Sequence, residues 1–346
     1  MLRLVGDINL TDGFFDVGFG VGSMLAQGFD PFLHIRRSDK ELWVGNFEGV
    51  TADVSTKTGT ESWQFRVLPK RLDHLQHLDL YGLANNHVMQ HGDEAYEQTV
   101  NTLEAFGCKV FGIGVKRSVL FEHQGRTVSI TGFSQRIDTW SQKPTYWHNP
   151  EYTAIEEEMK QLPQEAFKIV YVHWGNEFIN YPSSQQKRFA HWLIDAGCDL
   201  VIGMHPHILQ GYEQYKGKFV FYSIGNFVFN MPWEPTQFGA IVNVDFVNDK
   251  PVISYDYIRI NKDYSPHLIE SNDVPVRYRF ESLNKLLLKE ENSEEYHTTI
   301  NTFYHRYRRA NHMAILKNMI WHPAVAAGII KGFIKRRFKY VSSNNE

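Results

Sequence analysis

Apolar runs of strand length recur along this chain and alternate with helical patterns, and that alternation limits the fold before any single residue is considered. The runs are LRLVG (2–6), LWVG (42–45), LDLYGLA (78–84), KVFGI (109–113), TVSITGF (127–133), KIVYVHW (168–174), DLVIGM (199–204), KFVFYSI (218–224), GAIVNVDF (239–246) and VISYDYIRI (252–260). Helical patterns fall at 93–107, 152–162 and 184–197, and the glycine closing the first and last suits a C-terminal stop. Strand–helix alternation predicts an α/β fold with a partly parallel sheet covered by helices. After Gly211 no helix separates the strands, which predicts an antiparallel portion. Beyond residue 262 helical patterns take over, at 276–290 and 295–320, so the expected division is an α/β domain over 1–262 and a helical extension over 263–346.

Charge is unevenly placed. The net charge is −3, but nine Lys and Arg residues and no acid lie between His297 and Asn345. The part before that stretch holds 27 basic against 38 acidic residues, so an acidic body ends in a basic tail. The segment 313–340 interleaves apolar residues with Lys and closes on a basic cluster. It reads either as an interfacial helix on anionic lipid or as a helix docked on the body with a solvated basic end. Nucleic acid is not an expected partner, because the acidic body would oppose it. Two cysteines, Cys108 and Cys198, cannot form a disulfide scaffold, which fits a reducing compartment. MLRLVGDINL has no signal-peptide pattern and no window approaches 18 uninterrupted apolar residues. A cytoplasmic protein, peripheral at the inner membrane face through its tail, is the expectation.

Five of the strand-like runs end in metal-ligand side chains. Asp7 follows the first, Asn46 and Glu48 the second, and Asn86 and His87 the third; His173 ends a later one, and His205 and His207 follow the next. Each has an ordinary reading alone: a turn or helix cap for Asp7, a turn for Asn46, a solvated loop for Glu48, a left-handed turn for the Asn-Asn-His stretch, a satisfied core histidine for His173. Together they coincide too often, because open α/β sheets gather their sites at the carboxyl ends of strands. His205-Pro206-His207 is the sharpest signal, since proline between two imidazoles implies an extended backbone and both rings suit a divalent ion. Three imidazoles, two carboxylates and an amide oxygen, with no thiolate, favour Mn, Fe or Zn, and they are about the right number for two ions sharing a carboxylate.

The ordered set GDI (6–8), NFEG (46–49), ANNH (84–87), HWGNE (173–177), GMHPHILQG (203–211) and YSIGNFVF (222–229) resembles the CapA family of capsule-synthesis, or poly-gamma-glutamate biosynthesis, proteins of the calcineurin-like metallophosphatase superfamily. The resemblance covers about residues 1–245, FRVLP (65–69) included, and implies a four-layer α/β/β/α sandwich. By that resemblance Asp7 and His207 hold a first metal, Glu48 bridges, and Asn86, His173 and His205 hold a second, with His87 as general acid. Two departures bear on chemistry. Asp7-Ile8-Asn9 stands where the superfamily carries Asp-x-His, and Glu48 where it carries a bridging Asp, so the first metal is expected to be the weaker.

Further polar residues are candidates for substrate contact or for orienting the ligands: Asn9, Asn46, Glu177, Gln210, Asn226 and Arg66, the last able to clamp a phosphate or carboxylate bidentately or to form a surface ion pair. His91 reads as a loop histidine. The expected function is a metal-dependent hydrolase of a phosphoester, or related ester or amide bond, in capsule or surface-polysaccharide synthesis. The alternatives are a non-catalytic factor binding an anionic polymer or lipid-linked precursor during export or anchoring, for which Asn9 in place of His speaks, and a hydrolase of unrelated phosphodiesters.

Overall fold

The computed structural model describes residues 1–14, 16–289, 293–323 and 327. Its strands are β1 (Leu2–Ile8), β2 (Leu42–Phe47), β3 (Val50–Thr51), β4 (Arg66–Val67), β5 (Leu80–Gly82), β6 (Lys109–Phe111), β7 (Ser118–His123), β8 (Arg126–Ser134), β9 (Phe167–His173), β10 (Leu200–Met204), β11 (Tyr212–Tyr215), β12 (Lys218–Phe221), β13 (Asn226–Val228), β14 (Phe238–Val247), β15 (Lys250–Ile260) and β16 (Pro266–Ile269). The α-helices are α1 (Val21–Leu25), α2 (Asp93–Ala105), α3 (Tyr152–Gln161), α4 (Ser184–Asp195), α5 (Phe280–Leu286) and α6 (Ser293–Trp321).

Two sheets carry the fold. The first runs β16-β15-β14-β1-β2-β5-β6 with β13 also on β1, and the second β11-β12-β10-β9-β8-β7. β1, β2, β5 and β6 are mutually parallel, as are β8, β9, β10 and β12, while the hairpin strands run antiparallel. Period-two alternation then sorts side chains into three cores. Leu2, Leu4, Val44 and Leu80 meet Ile169, Tyr171, Leu200 and Ile202 between the sheets. On the outer face of the first sheet Trp43 and Tyr81 pack against Val21 and Leu25 of α1 and Tyr96 and Leu103 of α2. On the outer face of the second, Val170 and Val201 pack against Ile155 of α3 and Phe189 and Leu193 of α4. The result is the α/β/β/α sandwich.

One side chain ties the sheets at the end that matters for the site. Tyr171 of β9 is fully buried, and its hydroxyl lies 3.1 Å from the carbonyl of Val5 and 3.2 Å from that of Val44. The carboxyl ends of β1, β2 and β9 are thereby held at one edge.

Each of the ten strand-like runs contains a strand, but the short strands β3, β4, β13 and β16 and the longer β7 and β11 lie outside them. β7 and β11 are edge strands turned by Gln124-Gly125 and Lys216-Gly217, whose positive φ values (51° and 75°, 50° and 78°) mark tight left-handed hairpins without the Asn-Gly or Asp-Gly signature. Past residue 262, β16 extends the first sheet and Phe280 and Leu283 of α5 enter the inter-sheet core. Of the basic segment 313–340, residues 324–326 and 328–340 lie outside the described residues. No helix among the described residues is long and apolar enough to cross a membrane.

Candidate metal centre

Register brings the acidic and imidazole side chains together. Asp7 is paired in β1 with Asn46 of β2 on one side and Asn226 of β13 on the other. The close approach of β13 depends on Gly6, where a Cβ would lie 1.8 Å from the Gly225 carbonyl, and on Gly225, whose φ is +71°. His173 ends β9 next to Met204 of β10, so the loop carrying His205 and His207 starts beside it.

Asp7, Glu48, His173, His205 and His207 are all buried. Ligand atoms of Asp7, Glu48 and His173 lie within 4.8 Å of one another, as do those of Glu48, His205 and His207, so Glu48 is common to both groups. The Asp7 carboxylate accepts from Asn46 Nδ2 at 2.8 Å and from the His205 backbone amide at 3.1 Å, and lies 3.3 Å from His207 Nδ1. Asn86 Oδ1 is 2.8 Å from His173 Nε2. Glu48 Oε1 faces His87, His173 and His207 at 3.9, 3.9 and 3.7 Å.

The backbone here is strained. His205 and His207 both adopt positive φ, 91° and 58°, so the extended conformation expected around Pro206 is not what the loop adopts. A residue preceding proline normally avoids this region. The loop is held instead by the His205 amide on Asp7 and by Pro206 O, which accepts from the Phe178 amide at 2.9 Å. Left-handed non-glycine residues cost about 1–3 kcal/mol each and concentrate at functional sites.

Electrostatics shows what the cluster lacks. Both oxygens of Glu48 and both ring nitrogens of His205 are buried with no hydrogen-bond partner. Burial raises Glu48 well above the ordinary carboxylate range and pushes His205 well below an ordinary imidazole. Burial likewise lowers His173 to about 3. For His207 burial acts downward, but Glu48 and Asp7 outweigh it and raise the ring to about 10; for Asp7 burial acts upward, and the hydrogen bond and charge of His207 outweigh it, leaving a net lowering. A proton on His207 thus sets a positive charge 3.3 Å from Asp7 and 3.7 Å from Glu48. Carboxylates and neutral imidazoles with unused lone pairs are the donor set a divalent cation satisfies, and such a cation would displace that proton. The residues fit one or two ions.

His87 turns its Nε2 toward the cluster. Its Nδ1 meets Gln90 Oε1 at 2.8 Å and its ring stacks on Phe65 at 3.8 Å, which leaves Nε2 toward Glu48. Burial lowers it to about 4. The remaining candidates divide. Asn46 bonds Asp7, and Asn226 Oδ1 lies 2.9 Å from His207 Nδ1, orienting that ring. Glu177 lines the cavity beside His207. Asn9 closes a turn, its Oδ1 accepting from the amide and hydroxyl of Thr11. Gln210 donates to the Ile179 carbonyl at 2.8 Å and so braces the loop after β9 rather than a histidine. Arg66 corrects an expectation: its guanidinium donates to the carbonyls of Ser62, Ala52 and Asp53, staples that loop and is no substrate clamp. His91 is a loop residue between Ser55 and the Gln64 carbonyl.

Sequence reasoning missed several contributors. Asn85 bonds Asn46 Oδ1 and the His87 amide, and Gln90 sits three residues after His87; both are visible in the sequence beside the motif. Phe178, at φ 68°, stacks at 3.7 Å on Tyr307 of α6, a contact with no local signal.

Comparison with known proteins places this arrangement. At 30% identity the chain is similar to the capsule biosynthesis protein CapA of Bacillus anthracis, over 55% of this chain and 49% of that protein, and to the PGA biosynthesis protein CapA of Bacillus subtilis, over 57% and 56%. It thus spans about half the length of the curated relatives it matches. Among solved structures a putative 5'-nucleotidase from Staphylococcus aureus aligns with a TM-score of 0.44 at 14% identity, covering 83% of this chain and 57% of that one. The family model for the bacterial capsule synthesis protein PGA_cap matches residues 1–231, two-thirds of the sequence, and the chain therefore belongs to that family.

Proposed function

We propose that this chain is a metal-dependent hydrolase of a phosphoester, or related ester or amide bond, acting in the synthesis of a capsule or other surface polysaccharide. The observation that carries it is the pair of buried, unpartnered groups: both oxygens of Glu48 and both nitrogens of His205. Leaving such groups unsatisfied costs several kcal/mol, which a cation held between them would relieve. Asp7, Glu48, Asn86, His173, His205 and His207 would hold two divalent ions of the Mn, Fe or Zn type. When bound, these would supply Lewis-acid charge to the scissile group and lower the pKa of water. The protein's own part is orientation. Asn226 fixes the His207 ring, Asn46 fixes the Asp7 carboxylate, and the Gln90 acceptor leaves His87 Nε2 as the nitrogen that carries or releases the proton. An arriving anionic substrate raises the proton affinity of His87, so the ring charges as the substrate binds and can protonate the leaving group.

The test is metal content by mass spectrometry, on wild type and His205→Ala purified without chelator. About two ions per chain, reduced in the variant, support the reading and direct a phosphodiester and ester screen with Mn²⁺. No metal after reconstitution refutes it and leaves the second reading, a polymer- or precursor-binding factor of capsule assembly. The observation favouring that second reading is Asn9, engaged in a turn where the superfamily pattern carries histidine. A membrane surface is the proposed location, because Met313, Leu316, Ile320 and Trp321 of α6 are exposed apolar residues ahead of the basic tail.

A further inference from the structure

α6 lies beyond the residues matched by the family model, yet it walls the cavity over the metal centre. Tyr304, Tyr307 and Asn311 fall at i, i+3 and i+7, one face of the helix, and all three line that cavity. The docking is aromatic. Tyr307 stacks on Phe178, Trp233 contacts both Tyr307 and Phe303 edge-on, and Phe178 lies 6.3 Å from the His207 ring. The helix is thus two rings away from a metal-ligand side chain.

The chemistry of the wall is specific. Phe178 and Phe229 from the body and Tyr304 and Tyr307 from α6 supply aromatic surface, and Glu177, Asn230 and Asn311 supply polar groups. Asn311 Oδ1 is buried without a hydrogen-bond partner. Among the described residues that line the cavity, none is cationic apart from the histidines of the cluster. A polyanion such as a glutamyl chain would meet the Glu177 carboxylate with no Lys or Arg among the described lining residues to offset it. An uncharged ring bearing hydroxyls meets what it needs: aromatic faces for its C–H surface, carboxylate and amide oxygens for its O–H groups. The volume is about 200 Å³, below the roughly 300–1,000 Å³ usual for ligand pockets, so one ring enters and not a polymer segment.

We propose that α6 completes a subsite for a single sugar ring whose attached anionic group reaches the metal centre, so that the substrate is a glycosyl phosphate or a sugar-terminated phosphoester. This rests on the metal-centre reading above. The test uses the full-length, Mn²⁺-loaded protein and calorimetric binding of three probes: inorganic phosphate, glucose 1-phosphate and triglutamate. Glucose 1-phosphate is expected to bind at least about tenfold more tightly than phosphate, and triglutamate not to compete. In Tyr304→Ala and Asn311→Ala the sugar ester loses most of that advantage while phosphate affinity is unchanged. Equal affinity for phosphate and its sugar ester in wild type, or tighter binding of triglutamate, overturns the subsite and leaves the metal centre standing. Failure of phosphate itself to bind overturns both. Because the wild-type preference is decisive alone, a variant that unfolds does not rescue the proposal.

Discussion

Replacing Asp16 by asparagine should stabilise the protein, and by more as the pH rises. Asp16 is fully buried, and burial first, then the charge of Asp12, raises its carboxyl from 3.8 to about 7; hydrogen bonds from Asn230 and the Gly13 amide oppose this without cancelling it. A carboxyl raised in the folded state favours folding below its unfolded pKa, and that contribution is lost as pH climbs through the folded value. At about 1.4 kcal/mol per pKa unit, the native state is penalised by about 2 kcal/mol near pH 5.5 and by about 4 kcal/mol near pH 8. The amide has no proton to lose and can still accept from Gly13 while Asn230 turns its own amide. The stability difference between variant and wild type should therefore widen by about 2 kcal/mol over that range. For a chain of this length that is roughly 3 °C in Tm. Melting curves of both proteins without metal, at the two pH values, read it directly. Parallel Tm–pH profiles would show that Asp16 does not titrate there, and the argument from its burial would fail.

Gly6→Ala should cost more than about 3 kcal/mol, because its Cβ would sit 1.8 Å from the Gly225 carbonyl and drive β13 off β1; a wild-type melting temperature would refute the close-packing account. Gln90→Ala should lower stability by only about 1 kcal/mol, yet reduce phosphoester turnover of the metal-loaded protein at least about tenfold by freeing the His87 ring. Unchanged turnover would remove His87 from the proton path. Reversing the charges of Lys335, Arg336 and Arg337 to Glu should abolish flotation of the full-length chain with anionic liposomes, and equal flotation of both proteins would remove the membrane surface from the proposal.

Strands whose two faces are both buried were legible, because β1, β2, β9 and β10 must read as near-continuous apolar runs whatever their neighbours. β7 was not, since half its residues face outward and its turn carries glutamine before glycine. The same division holds at the site. Asp7, Glu48, Asn86, His173, His205 and His207 could be named because strand ends converge by topology, which the order of runs reveals. Arg66 misled because a guanidinium beside a motif looks the same whether it meets substrate or backbone carbonyls; only the path of the 52–66 loop distinguishes them. Tyr307 could not be found at all, because its place opposite Phe178 depends on how α6 docks more than a hundred residues later in the chain.

The His205-Pro206-His207 loop shows how two histidines expected at one cluster can reach it by a local conformation other than the one expected. Proline argues for an extended neighbour, and taken alone the backbone would comply. Instead both histidines sit at positive φ, which aims two imidazoles of one tight loop into the same cluster, 5.6 Å apart. What sustains that strain is not local. The His205 amide is fixed by Asp7 from β1, the Pro206 carbonyl by Phe178 from the loop after β9, and the His207 ring by Asn226 from β13. Three segments from both sheets must already be assembled before the loop can adopt its shape. The cluster is therefore a consequence of the completed sandwich, and variants that loosen β13 or the loop at Phe178 should lower the metal content read by mass spectrometry without touching a proposed ligand.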